Sequence, residues 1–224
     1  PAATIKDAIY ETLDANGLKD GYIRAIFTRG VGTLGLHPFK CPVPGTIIIT
    51  DHIQLYPKEL YDEGMDVVVA KRPRIPIECL DPGIKSLNYL NNILAKVEAI
   101  DKGVLEAVML NIEGYVAECT GDNIFMLKDD KMFTPPLAAG ALHGITRGVA
   151  IDLAEANSIE VSEPDLTRYD LYNADEVFIT GTAAEVVPVV KIDGRQIGRG
   201  RPGRLTKKLM KAYKDLTNST GQAI

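Results

Sequence analysis

Apolar residues recur in this chain with two periods, and each period predicts its own kind of element. Leu90, Ile93, Leu94 and Val97 stand three and four apart, which predicts a helix with one apolar face, running to Ala99. Pro82-Gly83 breaks the chain ahead of it, so Lys85 is expected at a loop-to-helix junction. The same spacing over Ile5, Ala8, Ile9, Thr12 and Leu13 predicts a first helix, with Thr4 as its N-cap and Gly17 as its stop. Further helices are expected over Ile145 to Ala156 and, shorter, over Leu166 to Tyr172. Leu205, Leu209, Tyr213 and Leu216 form the stripe of a closing amphipathic helix.

Alternation of period two marks the strands. In Tyr22 to Thr28, Ile23, Ala25 and Phe27 take one face, and Tyr22, Arg24 and Ile26 the other. Strands are also expected over Thr46–Thr50, Met65–Ala70, Ala107–Asn111, Tyr115–Glu118, Asn123–Lys128, Lys131–Thr134, Asp175–Thr180 and Val186–Val190. Glu113-Gly114 and Asp129-Asp130 read as hairpin turns. Strands and helices mix without regular βαβ alternation, so the fold class is α+β. The stretch from Asp51 to Glu59 has no clean period and contains Pro57. It is taken as a link, which divides the chain into a small N-terminal part (1–52), a linker (53–59) and a main domain (60–224).

Composition narrows the classes. A chain of 224 residues can bury a sizeable core. The net charge of −5 argues against a nucleic-acid partner. No apolar run approaches the roughly 20 residues that span a bilayer, and Pro1-Ala-Ala-Thr does not read as a secretory signal. Cys41, Cys79 and Cys119 are odd in number with no close pair, which fits reduced thiols in the cytoplasm better than disulfides or a metal site.

Two stretches have the chemistry of anion sites. Gly144-Ile-Thr-Arg147 opens a helix, whose first N–H groups have no partner within it, and Thr146 adds a hydroxyl. Gly181-Thr182 lies between two strands, where a glycine lets the backbone approach a ligand closely.

Five segments then agree, in order, with one family. Lys85-Ser-Leu-Asn-Tyr89 resembles the Schiff-base lysine segment of the fold-type IV, pyridoxal-phosphate-dependent aminotransferases. The others are Glu113-Gly-Tyr-Val-Ala-Glu118 with Gly121-Asp-Asn-Ile-Phe125, then Thr134-Pro-Pro136, Gly144-Ile-Thr-Arg147 and Gly181-Thr-Ala-Ala-Glu185. Together they resemble the branched-chain amino acid aminotransferases, from about Thr4 to the last helix. That family has a further N-terminal segment ahead of the region where this chain starts, so a remainder of its small domain is expected here.

The resemblance implies pyridoxal 5′-phosphate as cofactor. It implies Lys85 as the covalent and proton-transferring lysine, Glu118 at the pyridine nitrogen and Tyr89 at the 3′ oxygen. Leu142 would pack on the ring, Ile145, Thr146 and Thr182 would hold the phosphate beside Gly181, and Thr182 and Ala183 the substrate α-carboxylate. Tyr22 and Arg24 would line the substrate pocket; His143 stands where relatives often have proline. The implied reaction is transamination of leucine, isoleucine and valine with 2-oxoglutarate, by a homodimer or higher homo-oligomer. The alternatives are a D-amino acid transaminase or aminodeoxychorismate lyase of the same family, or a fragment without the cofactor. Gly181–Glu185, with the glycine-rich run Gly194 to Gly200, favours the branched-chain reading.

Overall fold

The computed structural model describes residues 2–221, so Pro1 and the last three residues of the expected main domain lie outside the described residues. The chain divides after Leu55 into two compact units. No described helix is long and apolar enough to cross a membrane.

The smaller unit holds helix α1 (Ala2–Ala15), strand β1 (Tyr22–Thr28) and strand β2 (Gly45–Asp51). The helix starts before Thr4, which therefore lies inside it and is not its N-cap. Gly17, at φ +64°, follows its end. The two strands pair antiparallel, Tyr22 opposite Asp51 and Arg24 opposite Ile49.

The larger unit begins with Tyr56, which is buried in its core. It contains α2 (Glu59–Glu63), β3 (Met65–Val69), α3 (Leu90–Asp101), β4 (Glu106–Leu110), β5 (Val116–Cys119), β6 (Asn123–Lys128) and β7 (Lys131–Phe133). After them come α4 (Ile145–Ala156), β8 (Val161–Ser162), α5 (Arg168–Tyr172), β9 (Glu176–Gly181), β10 (Glu185–Ile192), β11 (Arg195–Gln196) and α6 (Arg204–Ser219). Nine strands form one mixed sheet in the order β5-β4-β3-β10-β9-β6-β7-β8, with β11 added to β10. The hairpin between β6 and β7 turns through Asp129 and Asp130, both at positive φ, as a tight two-residue turn requires. The short strands β8 (Val161–Ser162) and β11 (Arg195–Gln196) are too brief to show a period.

The sheet is covered on both faces, which is why its central strands read as almost continuous apolar runs. Ile124, Met126, Val177, Ile179, Val187 and Val189 enter one core cluster. Their alternates Phe125, Leu127, Phe178 and Val186 enter another, with residues of α4 and α6, where the Phe125 and Phe178 rings stack at 4.8 Å.

Helix α3 does not bury its apolar stripe in the sheet. Asn92, Ala95 and Ala99 are its buried residues, and the two alanines pack against Ala107 and Met109 of β4. Leu90, Ile93, Leu94 and Val97 are exposed instead, at 61%, 55%, 39% and 44%. The apolar stripe is real, but the small-residue face is the one that approaches the sheet.

Candidate active site

Segments far apart in the larger unit converge on one cavity of about 320 Å³. Arg74 reaches it from the stretch after β3, Glu118 from β5, Leu142 to Thr146 from the start of α4, and Thr180 to Thr182 from the end of β9. The loop from Asp81 to Tyr89 borders it almost end to end.

That loop is not helical. Asp81 Oδ1 accepts from the Gly83 N–H at 2.8 Å and closes the Pro82-Gly83 turn. Helix α3 starts only at Leu90, with Tyr89 as its N-cap. Lys85 thus lies in the loop ahead of α3, as its place after Pro82-Gly83 predicts, and both Lys85 and Tyr89 border the cavity. Lys85 is exposed and Tyr89 half-buried.

Glu118 lies deep in the wall, with only 7% of its side chain exposed. Its carboxylate meets three donors. Arg74 Nη2 donates to Oε1 at 2.5 Å, while the Leu142 N–H and Asn123 Nδ2 donate to Oε2 at 2.9 and 3.2 Å. Arg74 is equally buried and held on every side: Nη1 donates to Asn92 Oδ1 at 2.6 Å, and Nε to the Gly140 carbonyl at 3.1 Å. Burial pushes the Glu118 carboxyl up to about 7, against the pull of Arg74, the Leu142 N–H and Lys85.

The two stretches expected to form anion sites lie elsewhere on this wall. Gly144 is the N-cap of α4 and no side chain caps the helix, so its leading N–H groups are free of any capping side chain. Thr146 is buried in that first turn. Two glycines keep the backbone close: a Cβ on Gly144 would stand 2.2 Å from Asn123 Oδ1, and one on Gly181 would stand 2.3 Å from Asp122 Oδ1. Leu142, Ile145, Thr146, Gly181 and Thr182 all border the cavity; Ala183 follows them in the loop but does not. His143 is on the same wall and exposed. Tyr22 and Arg24 belong to the smaller unit, Tyr22 half-buried and Arg24 exposed on β1.

Arg74, Asn92, Asp122, Asn123 and Thr180 also border the cavity and were not expected from the sequence. Arg74 sits in Arg-Pro-Arg-Ile-Pro, which reads only as the end of a strand. Asn92 looks like a polar position on an apolar helix; its exposure is decided by which face packs. Asn123 and Thr180 are cross-strand partners, and partnership cannot be seen along one strand.

A lysine and a buried, ion-paired glutamate share one cavity with a helix start and a glycine loop, the arrangement expected of a group-transfer enzyme of the fold-type IV aminotransferase kind. The family model for amino-transferase class IV matches residues 1–192. A Methanocaldococcus jannaschii protein named for branched-chain-amino-acid transamination is 48% identical over 215 residues, 96% of this chain and 74% of its own length. The Escherichia coli branched-chain amino acid aminotransferase superposes with a TM-score of 0.92 at 36% identity, covering 96% of this chain and 72% of that one. The Thermobaculum terrenum branched-chain amino acid aminotransferase, in its PLP-bound holo form, gives 0.81 at 32% identity, covering 93% and 68%. The chain belongs to the class IV aminotransferase family, and these relatives are branched-chain amino acid aminotransferases.

Proposed function

We propose that this chain transfers the amino group of leucine, isoleucine or valine to 2-oxoglutarate with pyridoxal 5′-phosphate, giving branched 2-oxo acids and L-glutamate. The observation that carries the reading is one cavity bordered by Lys85, Tyr89, Glu118, Thr146 and Thr182. The residues fit the cofactor. An amine, an ion-paired carboxylate and a glycine-backed anion cradle are what a pyridoxal ring with a phosphate arm needs. A relative in the same fold is solved in its PLP form. Bound there, pyridoxal phosphate supplies the electron sink for charge developing at the substrate Cα.

Each residue then has a task. Lys85 would hold the cofactor and, as a free amine, would take the proton from the substrate Cα and return one as general base and acid. Glu118 would keep a proton on the ring nitrogen, and its three donors hold it in place. Tyr89 would donate to the 3′ oxygen and Leu142 would pack on the ring. The Ile145 N–H, Thr146 and Thr182 would hold the phosphate, while N–H groups at Thr182 and Ala183 would hold the substrate carboxylate. For Tyr22 and Arg24 the role is substrate recognition, with Arg24 meeting the second carboxylate of glutamate.

The setting proposed is cytoplasmic, in keeping with three unbonded cysteines. The assembly proposed is a homodimer or higher homo-oligomer, supported by the exposed apolar stripe of α3.

The test is Lys85→Ala. This variant should lose transamination, the visible absorbance of bound cofactor, and the mass gain after borohydride reduction. Normal turnover in it would overturn the assignment. Arg24→Leu should slow the half-reactions of glutamate and 2-oxoglutarate by roughly 30-fold or more, as for a lost carboxylate partner, and spare that of leucine. Equal loss in both half-reactions, followed by single-turnover spectra, would remove Arg24 from side-chain recognition.

A further inference from the structure

Behind the cavity wall lies a second set of ionisable side chains that the proposed chemistry does not use. Asp122, in the turn between β5 and β6, borders the cavity and is 5% exposed. Its Oδ2 is 2.8 Å from the Tyr56 hydroxyl, and the same hydroxyl is 3.2 Å from Glu106 Oε2. A phenol has one proton to donate. It can satisfy one of the two carboxylates; the other contact is a hydrogen bond only if a carboxyl donates back. Tyr56 keeps its own proton, because burial and the two acids push its titration far upward.

The extra proton belongs on Asp122. Glu106 Oε1 accepts from the Ala107 N–H at 2.7 Å, the Thr120 N–H at 3.0 Å and the Thr120 hydroxyl, and Oε2 accepts from Lys96 Nζ at 3.1 Å. Those donors stabilise a charged Glu106. Asp122 has no cation in contact among the described residues. The groups that face it are Tyr56, Glu106 on β4, Lys96 on α3, Cys119 and Glu118 on β5, and Tyr61 on α2. Burial and Glu106 together raise its carboxyl to about 6.

Its other oxygen, Oδ1, lies against Gly181, so close that a Cβ there would stand 2.3 Å away. We infer that Asp122 is a positioning residue that supports the Gly181-Thr182 loop as a neutral acid, and that its ionisation weakens the loop's hold on an anion. The inference rests on the reading of that loop as the phosphate and carboxylate site. A protonated Asp122 leaves the loop's N–H groups unopposed, whereas a charged one repels the anion.

The experiment measures the affinity of pyridoxal 5′-phosphate, with phosphate-free pyridoxal as control, for the parent and for Asp122→Asn across the pH range around 6. Asparagine keeps the size and cannot ionise. As pH rises through that range, the parent should lose about tenfold more affinity for pyridoxal 5′-phosphate than Asp122→Asn does, in line with one charge near an anion. Pyridoxal should show no such difference. A second variant, Glu106→Gln, removes the neighbouring charge that disfavours Asp122 ionisation. Its loss of affinity should therefore move to lower pH than in the parent. A shift to higher pH, or none, would overturn the inference, as would identical pH profiles in parent and Asp122→Asn; either result leaves the proposed function intact. A parent that binds no pyridoxal 5′-phosphate at any pH would overturn both.

Discussion

Glu118 has three hydrogen-bond donors, one of them a cation, yet its ionisation is still costly because almost no water reaches it. Its carboxyl rises on folding from an ordinary 4.5 to about 7, so the folded chain binds the extra proton between those values. Stability from this group is full below the unfolded value and is lost as pH rises through about 7. Glu118→Gln should therefore flatten the fall in melting temperature of the cofactor-free protein between about pH 5 and pH 8. An unchanged slope would mean that the carboxylate is ionised throughout. In the holoenzyme the same variant should still bind pyridoxal phosphate but lose about 2–4 kcal/mol of transition-state stabilisation, as when a preorganised electrostatic partner is removed. A kcat within twofold of the parent would tell against the role. Of this cluster Glu118 and Leu142 were named from the sequence, through the family resemblance. Arg74 was not, since a guanidinium between two prolines looks the same whether it is solvated or buried.

Helices and strands were easier to find than their facings. The stripe Leu90, Ile93, Leu94 and Val97 predicts α3 correctly as a helix with one apolar face, but leaves open which face meets the sheet. Periodicity reports that a face is apolar; it does not report what covers it. Here the close approach to β4 is made by Ala95 and Ala99, whose small side chains let the helix sit near the sheet. The larger residues are left for another surface. Ile93→Glu should leave the fold intact and shift the molecular mass measured by light scattering toward the monomer. An unchanged oligomer would assign the stripe to no self-contact, and a monomeric parent would remove the homo-oligomer proposal. Loop chemistry was legible where one or two residues decide it, as at Asp129-Asp130. The loop of Lys85 was legible at its Pro82-Gly83 turn, whereas the residue at which it gives way to α3 was not, because the short run before a helix start carries no period.

The two units of the molecule differ in what holds them. The three core clusters lie in residues 56–221, while Leu13 and Thr50 are the buried residues of the smaller unit among those described. Protection from exchange follows buried backbone. Native-state hydrogen exchange should thus be slowest in β4, β9 and β10 and faster in β1 and β2; slower exchange in β1 than in β9 would contradict this. The residues alone were enough for local features: the two periods that place most helices and strands, the turns, and ordered motifs specific enough to name a family. Folding in three dimensions chose which strands are neighbours and which side of α3 meets the sheet. It also brought Arg74 to Glu118 and Tyr56 to Asp122, across 44 and 66 residues of chain. Range explains the division. Backbone propensity and periodicity act over a few residues, whereas burial and ion pairing depend on partners that only the folded sheet brings together.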